Sequence, residues 1–324
     1  VGRKKIFILG IISFSVCSLL CGLAWSIEVL IVFRLLQGVA SAMIFSTGMA
    51  ILTSVFQPHE RGKALGINVA TVYIGLALGP VLGGLISQYL GWQFIFHAII
   101  PIGIIIVLLS TAKLKGEWAG AGGESYDFIG AVLYSVGLTS FIYGVSSLSN
   151  SSWAKYIMVF GMLTMLMFIK YQLQAKSPII NLNLFSKNVV FTFSNLAALI
   201  NYSATAGIGF LLSLHLQILM ELDTQIAGFI LLSQPVIMAL LSPLVGTLSD
   251  HVEPRIVASL GMALTTLGLL LFTFISLKTP IWFIIANLML LGMGFALFSS
   301  PNSNAVMGSV EKRYYGIASS TLGT

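Results

Sequence analysis

Polar residues interrupt this chain every twenty to thirty positions, and the stretches between them are predominantly apolar. Such runs lie near 6–25, 29–55, 64–88, 94–112, 127–148, 155–171, 189–216, 225–248, 255–276 and 281–303, and an eleventh begins after Tyr315. A helix needs about 20 apolar residues to cross a hydrocarbon core, and these runs meet that length. They are dense in Leu and Ile and rich in Gly, without the period of two that barrel strands show, so the pattern predicts membrane-spanning helices.

Composition sharpens that reading. Of 324 residues, 57% are hydrophobic and 8% charged, against about 25% charged in a soluble domain. Most of the surface must then face lipid, which excludes a soluble enzyme, a secreted disulfide scaffold and a nucleic-acid binder. The expected fold class is all-α integral membrane, and the expected location is the cell membrane, crossed many times. The net charge of +6 reflects topology. With Val1 on the cytoplasmic side, the inner segments carry Arg3, Lys4, Lys5, Arg61, Lys63, Lys113, Lys115, Lys170, Lys176, Lys187, Arg255, Lys312 and Arg313, and the outer ones only Lys155 and Lys278. That asymmetry follows the positive-inside rule. Cys17 and Cys21 fall four apart in an apolar run and read as small packing residues; no metal site or cofactor is expected.

Gly2-Arg3-Lys4-Lys5 before an apolar run has the layout of a signal peptide. Nine further runs follow and the first residue is Val, so Val1 is expected to lie in a cytoplasmic loop of a longer protein. A weak repeat supports a two-part plan: at an offset of 254, Gln37-Gly38-Val39-Ala40 matches Leu291-Gly292-Met293-Gly294, and Gly62-Lys63-Ala64 matches Gly316-Ile317-Ala318. Two halves related by an axis along the membrane normal would produce it.

Arg34 is the charge set well inside a run, about 8 Å along its helix by the rise per residue. Placing it there costs about 2.5 to 3.5 kcal/mol on insertion scales. Either it snorkels outward to the headgroups or it serves function together with Gln37. Position 288 of the repeat is Leu, so the scaffold does not require an Arg. In the third run, Gly75, Gly79 and Gly83 recur every four residues around Pro80, with Gly84 beside them. This face lets another backbone approach closely, and Pro80 removes a hydrogen bond and bends it. Tyr73, Asn201, Tyr202 and Gln234 are polar groups within runs, suited either to a substrate cavity or to interhelical hydrogen bonds. Gly130, Gly137 and Gly144 recur every seven residues, as a packing seam or a ligand surface. His215 reads as packed or interfacial, and Glu221 and Asp223 as solvated.

Arg34-Leu35-Leu36-Gln37-Gly38 and Gly75 to Gly84 resemble the fourth- and fifth-helix signatures of the major facilitator superfamily, the second in the form found in its proton-coupled exporters. Gly2-Arg3-Lys4-Lys5 is similar to the end of the family's loop between helices two and three, and Gly246-Thr247-Leu248-Ser249-Asp250-His251 with Arg255 resembles a second copy. Eight runs separate the two copies where six are expected. The resemblance therefore implies a two-bundle transporter fold of the fourteen-helix drug:proton antiporter branch, with an extra helix pair at 127–148 and 155–171. It further implies a truncated N-terminal half at 1–112, an inserted hairpin with its loops at 113–188 and a truncated C-terminal half at 189–324.

Assigned on that basis, Arg34 and Gln37 couple protons, and Gly75, Gly79, Pro80, Gly83 and Gly84 form a conformational interface facing the run at 225–248. Gly2, Arg3, Lys4, Gly246, Asp250 and Arg255 form cytoplasmic gate loops. The implied activity is export of lipophilic, often cationic, compounds in exchange for protons by alternating access, with a metabolite or siderophore exporter as the competing reading. The expected partners are a small-molecule substrate, protons and the lipid bilayer, and the protein is expected to work as a monomer. No nucleotide-binding loop is present, and the scattered His59, His97, His215 and His251 do not form the cluster that a membrane enzyme needs.

Overall fold

The computed structural model describes residues 2–114, 116–117, 127–175, 178–180 and 182–323. Val1, Lys115 and Lys176, used above for topology, lie outside the described residues, as do 118–126 of the expected hairpin segment. Among the described residues the structure is helical: α1 (Arg3–Gly22), α2 (Ile27–Val55), α3 (Arg61–Tyr89), α4 (Gln93–His97), α5 (Ile99–Lys113), α6 (Phe128–Ser146), α7 (Ala154–Gln172), α8 (Leu182–Lys187), α9 (Val189–Ala206), α10 (Ile208–Leu214), α11 (Thr224–Leu231), α12 (Ser233–His251), α13 (Pro254–Phe272), α14 (Ile281–Gly308) and α15 (Tyr315–Gly323). A π-helical turn at His215–Leu219 continues α10. Counting α4 with α5, α9 with α10 and α11 with α12, ten spans are long and apolar enough to cross a membrane. They coincide with the ten complete runs, and the protein is a multi-pass membrane protein.

Local chemistry sets the helix starts. Ser26 Oγ accepts from Val29 N–H to cap α2 at 3.4 Å, Asp127 Oδ1 accepts from Gly130 N–H to cap α6 at 2.8 Å, and Pro254 opens α13, where its missing N–H costs nothing. The helices α1 and α3 have no side-chain cap from their own N-cap residues, Gly2 and Glu60. Remote carboxylates serve instead. Glu117 Oε1 accepts from Lys5 N–H at 3.2 Å, and Asp250 does the same for α3.

The chain divides into two compact units, one made of Val1–Gly120 with Phe193–Thr324 and the other of Ala121–Thr192. In the smaller unit α6 packs along α7 through the glycines spaced by seven, all of them buried. A Cβ at Gly144 would lie 2.5 Å from Met158 N, one at Gly137 would lie 3.0 Å from Met165 Cγ, and one at Gly130 would meet Gln172 Nε2. The partners also step by seven, in the opposite direction, so this stripe is a packing seam between antiparallel helices. Asp127 Oδ2 accepts from Gln172 Nε2 at 2.7 Å and closes the pair at one end.

In the larger unit α1 packs on α2, α4 and α5, and α14 packs on α12 and α13; α3 meets α12 and α14, and α2 meets α15. The repeat is visible in the helix starts: Ile27 and Arg61 open α2 and α3, and Ile281 and Tyr315, each 254 residues later, open α14 and α15. The sequence ended the tenth run at 303, where Ser299-Ser300-Pro301-Asn302-Ser303-Asn304 turns polar. The helix instead continues to Gly308, because Ser299, Ser300, Asn302 and Ser303 are buried against neighbouring helices rather than met by water.

Candidate functional site

The first part of the site lies at the end of the bundle that carries Arg3, Lys4, Arg61 and Lys63, called here the basic end. Gly62 N–H and Lys63 N–H donate to the two Asp250 carboxylate oxygens at 2.7 and 2.9 Å. An ionised carboxylate at two free amides of a helix start gains both charge-assisted hydrogen bonds and the favourable end of the helix dipole. Around this cap Ser300 Oγ donates to Gly62 O at 3.4 Å, and Asn304 Nδ2 donates to Ser249 O at 3.4 Å. Arg61 is buried and donates from Nη2 to Tyr315 Oη at 3.0 Å. These two residues occupy equivalent positions of the repeat, so the contact lies where the halves meet their own image.

Arg3 Nη1 donates to Ser54 Oγ at 2.9 Å and Nη2 to Lys312 O at 2.7 Å. Its guanidinium carbon stands 5.8 Å from the Tyr315 ring centre. Ser319 Oγ donates to Phe45 O at 3.2 Å, tying α15 to α2.

The expected gate residues thus divide. Asp250 and Arg3 join this seam, and Gly246 lies within α12 rather than in a loop. Gly2 and Lys4 meet the segment after α5, where Lys4 Nζ donates to Leu114 O at 2.5 Å. Arg255 forms only an exposed pair with Glu253 at 3.3 Å. The sequence reading did not single out Gly66, although with Gly62 it forms the close crossing of α3 and α12: a Cβ there would meet Ser242 O and lie 2.9 Å from Gly246 Cα.

The expected glycine face lies farther along α3 than that crossing. Gly62, Gly66, Val69 and Tyr73 lie on one side of α3 and meet α12. At 100° per residue, Gly75 points about 150° away from the middle of that side, Gly79 about 110° and Gly83 about 70°. A Cβ on any of them, or on Gly84, meets nothing within 4 Å. The run at 225–248 therefore meets α3 at Gly62, Gly66, Val69 and Tyr73, and in this arrangement it does not reach Gly75, Gly79 or Gly83. Pro80 shares the bare stretch and is exposed.

The second part of the site is polar and crosses α1 and α2. Arg34 Nη1 donates to Gln37 Oε1 at 2.8 Å, and Gln37 Nε2 donates to Ser18 Oγ at 2.6 Å. Ser18 passes its own hydrogen to Phe14 O at 2.8 Å. Gln37 and Ser18 are buried, and the Arg34 guanidinium stands 5.8 Å from the Phe96 ring centre. No carboxylate within salt-bridge distance of Arg34 occurs among the described residues. One hydrogen bond and one ring face thus hold its charge, while two donor groups stay open.

The third part brings together residues from both halves. Tyr73 of α3 is buried against Val69, Met238 and Phe295. Tyr202 of α9 lies 5.9 Å from Phe295 and 6.3 Å from Phe298 between ring centres, and its hydroxyl is 3.2 Å from Ser299 Oγ. Tyr73 packs on the same Phe295. Asn201 is buried beside them in sequence with Oδ1 lacking a hydrogen-bond partner, and Gln234 is half-buried on α12. The structure thus brings Tyr73 and Tyr202 together on α14, both at Phe295 and Tyr202 also at Ser299. The sequence could have signalled that residue only as a break in the apolar pattern.

A family profile described as Major Facilitator Superfamily matches residues 1–324. The chain is 30% identical over 324 residues to the riboflavin transporter RibZ of Clostridioides difficile (strain 630), covering 100% of this chain and 70% of that protein. It is 27% identical over 327 residues to the multidrug transporter protein MdtP of Bacillus subtilis (strain 168), covering 99% of this chain and 60% of that protein. With the cephamycin export protein CmcT of Amycolatopsis lactamdurans it shares 30% identity over 335 residues, covering 100% of this chain and 68% of that protein. The crystal structure of the human organic anion transporter MFSD10 (TETRAN) superposes with a TM-score of 0.73 at 15% identity, over 99% of this chain and 67% of that one. At that identity the likeness concerns the fold.

Proposed function

The chain belongs to the Major Facilitator Superfamily, and from that premise we propose that it is the core of a proton-driven exporter of lipophilic, drug-like compounds, working by alternating access as a monomer. Transport, not catalysis, is its activity in this reading. The observation that carries it is the seam at the basic end, where Asp250 of one half caps α3 of the other through two amides. Contacts of this kind hold one arrangement of the halves and can be exchanged for another at modest cost. That is what a two-state transporter requires.

The basic end is assigned to the cytoplasm by the positive-inside rule, so this conformation is closed inward. Arg34 and Gln37 act in coupling: a partner that gains or loses a proton changes the environment that Arg34 prefers. The exposed glycines of α3 are a face that closes against another helix in a different state. One relative is named for multidrug transport and another for cephamycin export, and the second supports export as the direction. A second reading, transport of a metabolite, is favoured by the 30% identity to a riboflavin transporter.

The test is flux in proteoliposomes that contain the whole protein, under an imposed pH gradient. Substrate uptake into acid-loaded vesicles that collapses with a protonophore supports proton-driven exchange. Flux that ignores the gradient excludes it.

A further inference from the structure

The chemistry of the aromatic junction narrows the substrate class, and the inference rests on reading this chain as a transporter. We propose that Tyr73, Tyr202 and Ser299 form a binding site for flat aromatic molecules that carry no fixed positive charge. Tyr73 is buried and comes from the first half, whereas Tyr202 comes from the second half and stays 40% exposed. A ring in the middle of a span, anchored by its hydroxyl to Ser299 and edged by Phe295 and Phe298, offers an open face at a fixed angle. Stacking on such a face suits any planar π-system, and the neighbouring hydroxyls orient it without demanding charge.

Ring faces also attract cations, so the decision rests on counter-charge. Among the described residues, the carboxylates within spans are Glu28, in the first turn of α2, and Asp250, which both of its oxygens commit to α3 amides. Neither is placed at the junction. The one fixed charge away from a helix end is Arg34, and it is positive. A desolvated cation would find no carboxylate to compensate it here, whereas a neutral ring system carries no such penalty.

Acridone and N-methylacridinium share one three-ring frame and differ in fixed charge, so their binding to the whole protein in detergent, followed by ligand fluorescence without any gradient, tests the charge argument. Acridone should bind at least about tenfold more tightly than N-methylacridinium, Tyr202→Ala should weaken acridone by about tenfold, and Tyr202→Phe, which keeps the ring, should change it much less. Equal or tighter binding of N-methylacridinium overturns the proposal. So do failure of acridone to bind the unsubstituted protein and an unchanged acridone affinity in Tyr202→Ala. Because no gradient is applied, these outcomes are independent of proton coupling: a protein that binds acridone as described but shows gradient-blind flux would keep this site and lose the exchange mechanism.

Discussion

At Arg34 a full charge sits eight residues into α2, held by Gln37 and the Phe96 ring. A guanidinium with open donors responds to whatever acceptor a change of protonation offers it. Arg34→Ala is expected to insert and fold normally and to abolish gradient-driven efflux, read in proteoliposomes. Arg34→Lys should restore little, because an ammonium cannot replace a planar fork of donors. Full efflux from Arg34→Ala would reduce Arg34 to a side chain reaching for headgroups. Arg34 and Gln37 were legible in the sequence because their pairing is local, at a spacing of three on one helix. Ser18 was not, although it completes the network, since a serine in an apolar run reveals nothing about which helix it will face. Ser299 was hidden for a related reason: the polar stretch it opens looks like the end of a span until burial among α3, α9 and α12 is known.

Elements were far more legible than their faces. Length and apolarity marked each span, since the bilayer fixes both. Which stretch of α3 meets α12 depends on how the two helices cross, however, and small residues occur along the whole of α3. The two glycine sets make opposite predictions. Gly66→Ala places a methyl against backbone atoms of α12, which cannot rotate away, and overpacking of this kind typically costs about 1 to 3 kcal/mol. Gly79→Ala meets nothing within 4 Å and gains helix propensity of up to about 1 kcal/mol. Thermal unfolding in detergent should therefore show a lower Tm for Gly66→Ala and an equal or higher one for Gly79→Ala; the reverse order would contradict this packing. Gly83→Leu separates folding from turnover. It should leave Tm unchanged while slowing transport, if the exposed face closes in another state. Normal turnover would leave that face as ordinary surface. In the hairpin, Gly144→Leu must displace Met158 backbone, and proteolysis between α6 and α7 should become faster than in the unsubstituted protein.

For the whole molecule, helices start at positions 254 apart, as in the weak repeat, and Arg61 is bonded to the residue at its own repeat position, Tyr315. What the sequence could not reveal is which end of the bundle the contacts between halves would close, because a transporter must encode both arrangements in one chain. Their balance is the property that a single residue can move. In the proposed cycle Asp250 caps α3 while the basic end is closed and releases it when that end opens, so its bonds count toward one state and not toward the other. Losing a charged helix cap costs about 1 to 2 kcal/mol, and states that differ by a few kcal/mol shift their populations about tenfold for each 1.4 kcal/mol. Asp250→Ala is therefore expected to open the basic end about tenfold more often while leaving the fold intact. Ala318 is fully buried in α15, the helix that Ser319 ties to α2. A cysteine introduced as Ala318→Cys, with Cys17 and Cys21 replaced by Ser, should react with a membrane-impermeant thiol reagent slowly in the parent and about tenfold faster with Asp250→Ala. An unchanged rate, with the same Tm, would mean that the Asp250 cap persists through both states and that the halves part somewhere else.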